Sequence, residues 1–278
     1  MNKKSDHAQA WTFITLALGW TWIFLLPAVP LSLSGRVVAV NVLRVLAGIG
    51  PAVVAIGLLL FRDSRKERED YWQRLIGIRP VPPVWWGISL LTVPVLTGLA
   101  ALIDQLLGGW GWQLEAAERF IKNPLSIIPF LLFILVFGPL PEELGWRGYA
   151  LGKLQSRWSA LYASIILGIV WVIWHLPLFF IQGTYQYGLG LGTRAYWIFN
   201  LGLVITSVIY TWIYNNTGGS IPAVILFHFS QNFSGELVEL SESAELIHFQ
   251  LTFILAVLVV VIWGWDKMVG KSTREDLT

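Results

Sequence analysis

The stretch Pro141–Gln155, P-E-E-L-G-W-R-G-Y-A-L-G-K-L-Q, decides how this chain is organised. Its two adjacent carboxylates, Glu142 and Glu143, follow the apolar run Ile127–Phe137, and ionisable residues in such surroundings indicate function. Proline breaks the incoming helix and suits the first position of a new one, so a helix is predicted from Glu142 onwards. Glu143 and Arg147 are then i,i+4 neighbours in the favourable order, and we predict that they pair.

Glu142 lies about 100° around the predicted helix from Glu143. Three small residues share its side of the helix: Gly145, Gly148 and Gly152. A stripe of small residues allows a neighbouring helix to approach closely. The spacing therefore predicts that Glu142 faces whatever packs on the glycines. The alternative is that both carboxylates only balance Arg147 at a membrane boundary.

The composition is that of a membrane protein. Hydrophobic residues make up 55% of the chain and charged residues 13%, whereas a soluble domain carries about 25% charged residues. Many of the 16 tryptophans stand at the ends of apolar runs, as in interfacial belts. The chain has no cysteine, which excludes disulfides, a thiol nucleophile and a thiolate metal site.

Eight apolar segments are each close to the ~20 residues that span a bilayer. They are Ala10–Leu31, Val37–Phe61, Val84–Leu107, Pro124–Leu140 continuing into the glutamate helix, Ala160–Ile181, Ala195–Tyr214, Ser220–Leu237 and Ile247–Trp265. The predicted fold is all-α, with about eight transmembrane helices enclosing an intramembrane catalytic cavity. We expect one integral membrane domain over residues 1–278, with a catalytic core over residues 124–233.

The positive charges predict the orientation in the cell membrane, because cytoplasmic connections are rich in Lys and Arg. Fourteen of the 19 basic residues fall on the side of the amino terminus: Lys3, Lys4, six within Arg62–Arg79, Arg147, Lys153, Arg157, Lys267, Lys271 and Arg274. Both termini are therefore predicted to be cytoplasmic. The run Arg62–Arg74 mixes both signs and favours contact with an anionic bilayer over nucleic acid, which is not an expected partner.

Further polar residues lie within the predicted spans. His175 and His228 are both intramembrane, and Asn232 follows His228 by four residues, so both side chains of that pair can point at one spot. Pro177 removes an amide and frees the Ile173 carbonyl near His175, an irregularity tolerated where the backbone is buried in protein or lines a cavity. Each histidine alone is also explained by an ordinary interhelical hydrogen bond.

A short turn joins the glutamate helix to the next span and makes an antiparallel hairpin. At 1.5 Å per residue, Glu142 lies ~20 Å and His175 ~24 Å from that turn, so their levels nearly coincide. His228 enters from the same side, ~12 Å deep. The geometry predicts a water-filled cavity, open to the cytoplasm, that is shared by these three residues and Asn232.

This set of residues suits the hydrolysis of an amide by activated water. A carboxylate and an imidazole can act as general base, while the second imidazole and the asparagine amide can donate to the oxyanion. The alternative is a zinc site in which Glu142, His175 and His228 are the ligands and one position is open. The residues alone leave both open.

Three motifs carry a resemblance to a known family. They are Glu142-Glu143-Leu-Gly-Trp-Arg147, Trp171-Val-Ile-Trp-His175 and His228-Phe-Ser-Gln-Asn232. In this order they resemble the CAAX prenyl endopeptidases and their bacterial relatives, the bacteriocin-processing or Abi group of intramembrane proteases. One departure is Trp171, where the family usually has Phe. The eight-helix count fits the fold that the family implies.

The resemblance implies catalytic roles for Glu142, His175, His228 and Asn232, and supporting roles for Glu143 and Arg147. It implies an intramembrane endopeptidase whose substrate is a peptide or protein at the membrane, lipidated in the eukaryotic members. The alternatives are a non-proteolytic immunity or partner-binding protein of the same fold, and a transporter.

We favour a metal-free mechanism without a cofactor. A metalloprotease would usually need a further carboxylate as base, and the spacing commits Glu143 to Arg147. Asn232 also suits an oxyanion donor better than a zinc ligand. In the favoured mechanism Glu142 and His175 activate water, while His228 and Asn232 hold the oxyanion.

Overall fold

The computed structural model of the chain describes residues 3–77 and 80–270. Arg79, Lys271 and Arg274, which contribute to the predicted cytoplasmic charge, lie outside the described residues. The described chain is almost entirely helical, with one short antiparallel ribbon. The helices are α1 (Lys3–Leu33), α2 (Val37–Gly48), α3 (Gly50–Phe61), α4 (Arg65–Leu75), α5 (Pro83–Leu106), α6 (Glu115–Lys122), α7 (Ile127–Val136), α8 (Pro139–Gly145), α9 (Gly152–Gln155), α10 (Ala160–His175), α11 (Tyr185–Leu189), α12 (Arg194–Asn216), α13 (Ile221–Leu237) and α14 (Glu242–Trp263), and the strands are β1 (Trp112–Gln113) and β2 (Glu239–Leu240).

Seven helical stretches of the described chain are long and apolar enough to cross a membrane. They are Asp6–Leu33, Val37–Phe61, Pro83–Leu106, Pro124–Gln155, Ala160–Phe180, Arg194–Asn216 and Glu242–Trp263. The remaining predicted span, Ser220–Leu237, corresponds to α13, whose 17 residues are at the short end of the ~17–25 that cross a bilayer. The prediction of an all-α, multi-pass membrane protein is confirmed.

The second predicted span, Val37–Phe61, is divided into α2 and α3 at Ile49. Pro51 lacks the amide hydrogen that would donate to the Ala47 carbonyl in a continuous helix. The Thr21 hydroxyl donates to that carbonyl at 3.0 Å, and the Trp20 indole donates to the preceding carbonyl at 2.8 Å. Side chains of α1 therefore supply the donors that the break removes.

The glutamate helix is the centre of the molecule. Residues 141–151 are buried apart from the half-buried Leu144, and α3, α13 and α1 pack around them. The stretch is helical as predicted, but Trp146–Leu151 between α8 and α9 forms a π-helix. Such segments are rare and are often found at functional sites.

The predicted single stripe of glycines is wrong. A Cβ on Gly145 would meet Pro51 of α3 and Phe13 of α1, both within 2.8 Å. Gly148 instead approaches Ile221 of α13 and Tyr71 of α4, and the nearest atom to Gly152 is the Tyr214 hydroxyl of α12. The wider π-turns change the angular spacing of side chains, so the three glycines meet different neighbours.

The connections gather at two ends of the bundle in the groups that the charge pattern predicts. At one end Lys153 bonds Gln9 and Glu67, and the Ala160 amide donates to the Asp266 carbonyl. Three contacts join the connections at the other end: Gln182 with Ser32, Gly111 with Ser241, and Arg194 with Glu242. Which end faces the cytoplasm remains a prediction.

The backbone after His175 is irregular, as the position of Pro177 predicts. Leu176–Phe180 forms a 3₁₀-helix directly after α10. The Ile173 carbonyl accepts the Leu176 amide and, from α1, the Trp22 indole at 3.3 Å. Packing from α1 thus completes the hydrogen bonding near His175.

Candidate active site

Glu143 and Arg147 pair as their spacing predicts. One carboxylate oxygen, Oε1, lies 2.8 Å from Arg147 Nη1, and neither side chain has any exposed surface. The same oxygen lies 2.8 Å from His228 Nδ1 on α13. Glu143 therefore ties the α8 segment to α13, a contact that the sequence did not predict.

The Arg147 guanidinium is enclosed by aromatic rings. It lies 4.7 Å from the centre of the Trp171 ring and 3.9 Å from that of Tyr210, and cations over such faces are stabilised. Its Nη2 donates to the Ser207 hydroxyl at 3.3 Å. Glu143 Oε2 and Arg147 Nε have no hydrogen-bond partner among the described residues. Because neither side chain is exposed, the pair depends on its protein contacts.

Glu142 faces a different helix. Its Oε2 accepts a 2.7 Å hydrogen bond from the Trp171 indole of α10, and the residue is 7% exposed. It therefore does not face the helices that pack on the glycines. No other hydrogen bond to this carboxylate is found in the part of the chain that the structure describes. Its second oxygen remains available to a reacting molecule.

His175 follows Trp171 by one turn of α10, and its ring orientation is set by the backbone. Nδ1 lies 2.9 Å from the Trp171 carbonyl oxygen. A carbonyl only accepts, so Nδ1 carries the hydrogen, and in the neutral ring Nε2 keeps its lone pair. His175 can thus accept a proton through Nε2.

The tautomer of His228 follows from the same reasoning. The Glu143 carboxylate, ionised against Arg147, only accepts, so His228 Nδ1 carries a hydrogen. The neutral ring then also presents a lone pair at Nε2. His228 can donate through Nε2 only in its doubly protonated form.

Asn232 lies one turn beyond His228, at the point where α8 begins. An ideal Cβ on Gly138 would lie 2.9 Å from Asn232 Nδ2, so a larger residue there would require the Asn232 amide to shift. The Gly138 carbonyl in turn accepts the Glu142 amide at 3.3 Å. Asn232 is half-buried and makes no side-chain hydrogen bond to the described residues.

Trp171 contacts three of the predicted site residues. Its ring centre lies 5.7 Å from that of His175 and 5.4 Å from that of His228, in addition to its contact with Glu142. Direct hydrogen bonds between Glu142 and either histidine do not occur among the described residues. Glu142, His175 and His228 therefore gather around one indole, and the predicted water-filled cavity stays a prediction.

Helix α4 also supports the glutamate helix through two hydrogen bonds to its backbone. The Tyr71 hydroxyl donates to the Leu144 carbonyl at 3.0 Å, and Arg74 Nη1 donates to the Gly148 carbonyl at 3.1 Å. Burial raises the pKa of the Tyr71 phenol, so the hydroxyl keeps its proton and its donor role. These bonds fix the backbone on both sides of Arg147.

The predicted zinc alternative requires Glu142, His175 and His228 to share one ion. No group of three or more His, Cys, Asp or Glu side chains in residues 3–77 and 80–270 is arranged to hold a metal. The donor types suit zinc, but their spacing in this structure does not.

Two features of the site were not predicted from the sequence. The bond between Glu143 and His228 joins residues 85 positions apart, and no local pattern signals it. Trp171 was recognised only as an aromatic motif residue, although an indole, unlike the phenyl ring of Phe, carries a donor. A buried tryptophan one turn before a candidate catalytic histidine is the signal that could have been used.

Comparison with a protein-family model tests whether the three motifs belong to one family pattern. Residues 124–234 match the family model described as type II CAAX prenyl endopeptidase Rce1-like, and this segment contains all three motifs. The predicted family resemblance is confirmed. The Rce1-like segment begins before α7 and ends within α13, so it contains every predicted site residue.

Two curated proteins are similar to this chain. A protein named CAAX prenyl protease 2, from Methanococcus maripaludis, is 29% identical over 249 residues, which are 89% of this chain and 90% of that protein. An undecaprenyl phosphate-alpha-4-amino-4-deoxy-L-arabinose arabinosyl transferase from Pectobacterium carotovorum is 23% identical over 58% of this chain and 32% of its own length. The second match covers only a third of the transferase, so it assigns no activity to this chain.

Proposed function

We propose that this chain is an intramembrane endopeptidase that hydrolyses a peptide bond of a membrane-associated substrate. The observation that carries the proposal is the contact of Trp171 with Glu142, His175 and His228, which joins the three Rce1-like motifs in one buried site. The name of the archaeal relative supports the same class of reaction. Lipidation of the substrate is left to the experiment.

In the proposed reaction Glu142 and His175 activate a water molecule. Glu142 keeps one carboxylate oxygen without a protein donor, and His175 keeps the Nε2 lone pair, so both groups can accept hydrogen from water. The water oxygen bonds to the substrate carbonyl carbon while its proton passes to this pair. The proton then goes to the leaving nitrogen as the C–N bond breaks.

The proposed oxyanion donors are His228 and Asn232. As the carbonyl oxygen gains charge, the Asn232 amide and the Nε2–H of doubly protonated His228 donate to it. Glu143 has a supporting role because it orients the His228 ring through Nδ1, and Arg147 fixes Glu143.

The assay uses the purified protein in lipid vesicles with two synthetic peptides ending in a CAAX sequence, one prenylated and one not. Cleavage of either peptide, measured by mass spectrometry, supports the endopeptidase, and the ratio of rates reports whether the lipid is required. Absence of cleavage of both, with retained folding, would favour the immunity, partner-binding or transport alternatives.

A zinc enzyme is the second candidate. Both imidazoles use Nδ1 for a carbonyl or carboxylate and leave Nε2 bare, as metal-bound histidines commonly do. We favour the metal-free mechanism because the three donors would have to move together to share an ion. Elemental analysis of active protein distinguishes the two: about one zinc per chain, lost with activity to a chelator and restored by zinc, would contradict our choice.

The proposed orientation has both termini in the cytoplasm. Because the chain has no native cysteine, single cysteines at Ser5 and Glu239 can be labelled with an impermeant maleimide. Ser241 is unsuitable, since it is buried and donates to Asp104 at 2.6 Å. In sealed cells only the cysteine at Glu239 should react, and labelling of Ser5 alone or of both would contradict the orientation.

A further inference from the structure

We propose that Trp171 is a positioning residue that orients both members of the water-activating pair. Its indole holds Glu142 and its backbone carbonyl holds His175. This inference rests on the proposed function, and it assigns the role to the residue at which the chain departs from the family pattern.

The first contact is the hydrogen bond between the indole and the Glu142 carboxylate. The donor–acceptor distance is 2.7 Å, and Trp171 is 2% exposed. Hydrogen bonds to an ionised acceptor are the stronger kind. Since the described residues offer Glu142 no other side-chain donor, this bond decides which carboxylate oxygen remains for water.

The second contact is made by the backbone of the same residue. The Trp171 carbonyl accepts His175 Nδ1–H at 2.9 Å, which turns the Nε2 lone pair away from α10's own backbone. Both contacts originate at one residue of α10, and His175 lies one turn further along the same helix. The orientation of Glu142 and that of His175 are therefore coupled through Trp171.

The ring of Trp171 is itself held firmly. Arg147 covers it at 4.7 Å from the ring centre, and Tyr210 and His228 meet it edge to face at 5.7 and 5.4 Å. These contacts fix the direction of the indole N–H. A Phe at this position would keep the aromatic packing and the carbonyl bond to His175, but it would leave Glu142 without its donor.

The test removes the donor with little change of shape. Trp171→Phe deletes the N–H together with part of the ring, and 3-benzothienylalanine incorporated at position 171 replaces N–H by sulfur in a ring of nearly the same size. Misplacement of a reacting group by about 1 Å costs about 100-fold in rate. We expect kcat to fall about 10-fold to 100-fold in both variants, while KM and the unfolding temperature stay near the wild-type values.

The control is Trp158→Phe, which removes an indole donor to His7 at the surface, 3.3 Å away. It should retain wild-type kcat. Wild-type kcat with benzothienylalanine, or a loss of kcat matched by a lower unfolding temperature and a higher KM, would overturn the positioning role. If the wild-type protein cleaves neither CAAX peptide, the proposed function is overturned and the role of Trp171 with it. If the wild type and both Trp171 variants are fully active, only the role of Trp171 is overturned.

Discussion

The two adjacent carboxylates of the central helix lie in opposite kinds of surroundings. Glu143 has no exposed surface, and one of its oxygens serves both Arg147 and His228 at 2.8 Å. Glu142, one residue earlier, receives a single hydrogen bond from Trp171 and keeps a small exposed area. Glu143 is thus held by two protein groups through one oxygen, whereas Glu142 is held by one and is slightly exposed.

Because of this difference, we expect Glu143 to act in stability and Glu142 in catalysis. A buried charge is expensive to leave without its partner, so Glu143, which pairs with the buried Arg147, should matter first for stability. A carboxylate held by one donor can accept from water, so Glu142 should matter first for turnover. The two residues are distinguished by the pairing of Glu143 with Arg147 and by the helices that they contact, α13 for Glu143 and α10 for Glu142.

The largest expected effect concerns turnover in Glu142→Gln. The amide keeps the shape and can still contact Trp171, but it cannot accept a proton, so cleavage should fall by about 10²- to 10⁴-fold. The unfolding temperature should change little. The exposed Glu69→Gln is the control for the loss of one negative charge, and equal turnover in both variants would contradict the role of Glu142.

The second effect concerns stability in Glu143→Gln. Removal of one partner of a buried ion pair costs about 3–5 kcal/mol, because the Arg147 charge remains buried. Thermal or denaturant unfolding of the purified protein measures the loss. The double variant Glu143→Gln/Arg147→Gln should recover part of it, since no unpaired charge is left. If Glu142→Gln is the less stable of the two single variants, the roles of the carboxylates are reversed.

A smaller effect is expected from Gly138→Ala at the start of the segment. The added methyl group would stand 2.9 Å from Asn232 Nδ2 and displace the proposed oxyanion donor. We expect kcat to fall about 10-fold, because one donor is misplaced rather than removed. Gly235→Ala, on the same helix as Asn232 and with no atom within 4 Å of its Cβ, should be fully active. Equal kcat in the two variants would argue against Asn232 as a donor.

The smallest effect concerns the support from α4. Tyr71→Phe removes the hydrogen bond to the Leu144 carbonyl, between the two carboxylates and Arg147 along the chain. Loss of one such bond costs about 0.5–1.5 kcal/mol of stability, and turnover should change little. Tyr162→Phe, at an exposed position of α10, is the control, and a larger loss there than in Tyr71→Phe would contradict the supporting role.

Local spacing predicted the features of this molecule that depend on one segment. The apolar runs predicted the membrane helices, the i,i+4 spacing predicted the pair Glu143–Arg147, and Pro177 predicted irregular backbone after His175. In each case the decisive interaction lies within one or two helical turns. Sequence alone predicts an interaction when both residues lie within one or two turns of the same helix.

Features that depend on another helix were missed or misjudged. No residue pattern that we recognised signals the π-helix at Trp146–Leu151. Because of it, the three glycines predicted to form one stripe contact different helices. His228 was grouped with Glu142, but it bonds Glu143 across 85 residues. The spacing assigned Glu143 to Arg147, but the contacts of Glu142 with Trp171 and of Glu143 with His228 join different helices, which spacing along one helix cannot show.

The most direct test of the central claim follows oxygen from water into the product. The wild-type protein in lipid vesicles is incubated with the CAAX peptides in H₂¹⁸O, and the new carboxyl terminus is analysed by mass spectrometry beside Glu142→Gln and Glu143→Gln. We predict one ¹⁸O per cleavage by the wild type, product at a reduced rate from Glu143→Gln, and essentially none from Glu142→Gln. Equal product from the wild type and Glu142→Gln, or no product from the wild type, would contradict an endopeptidase that uses Glu142 to activate water.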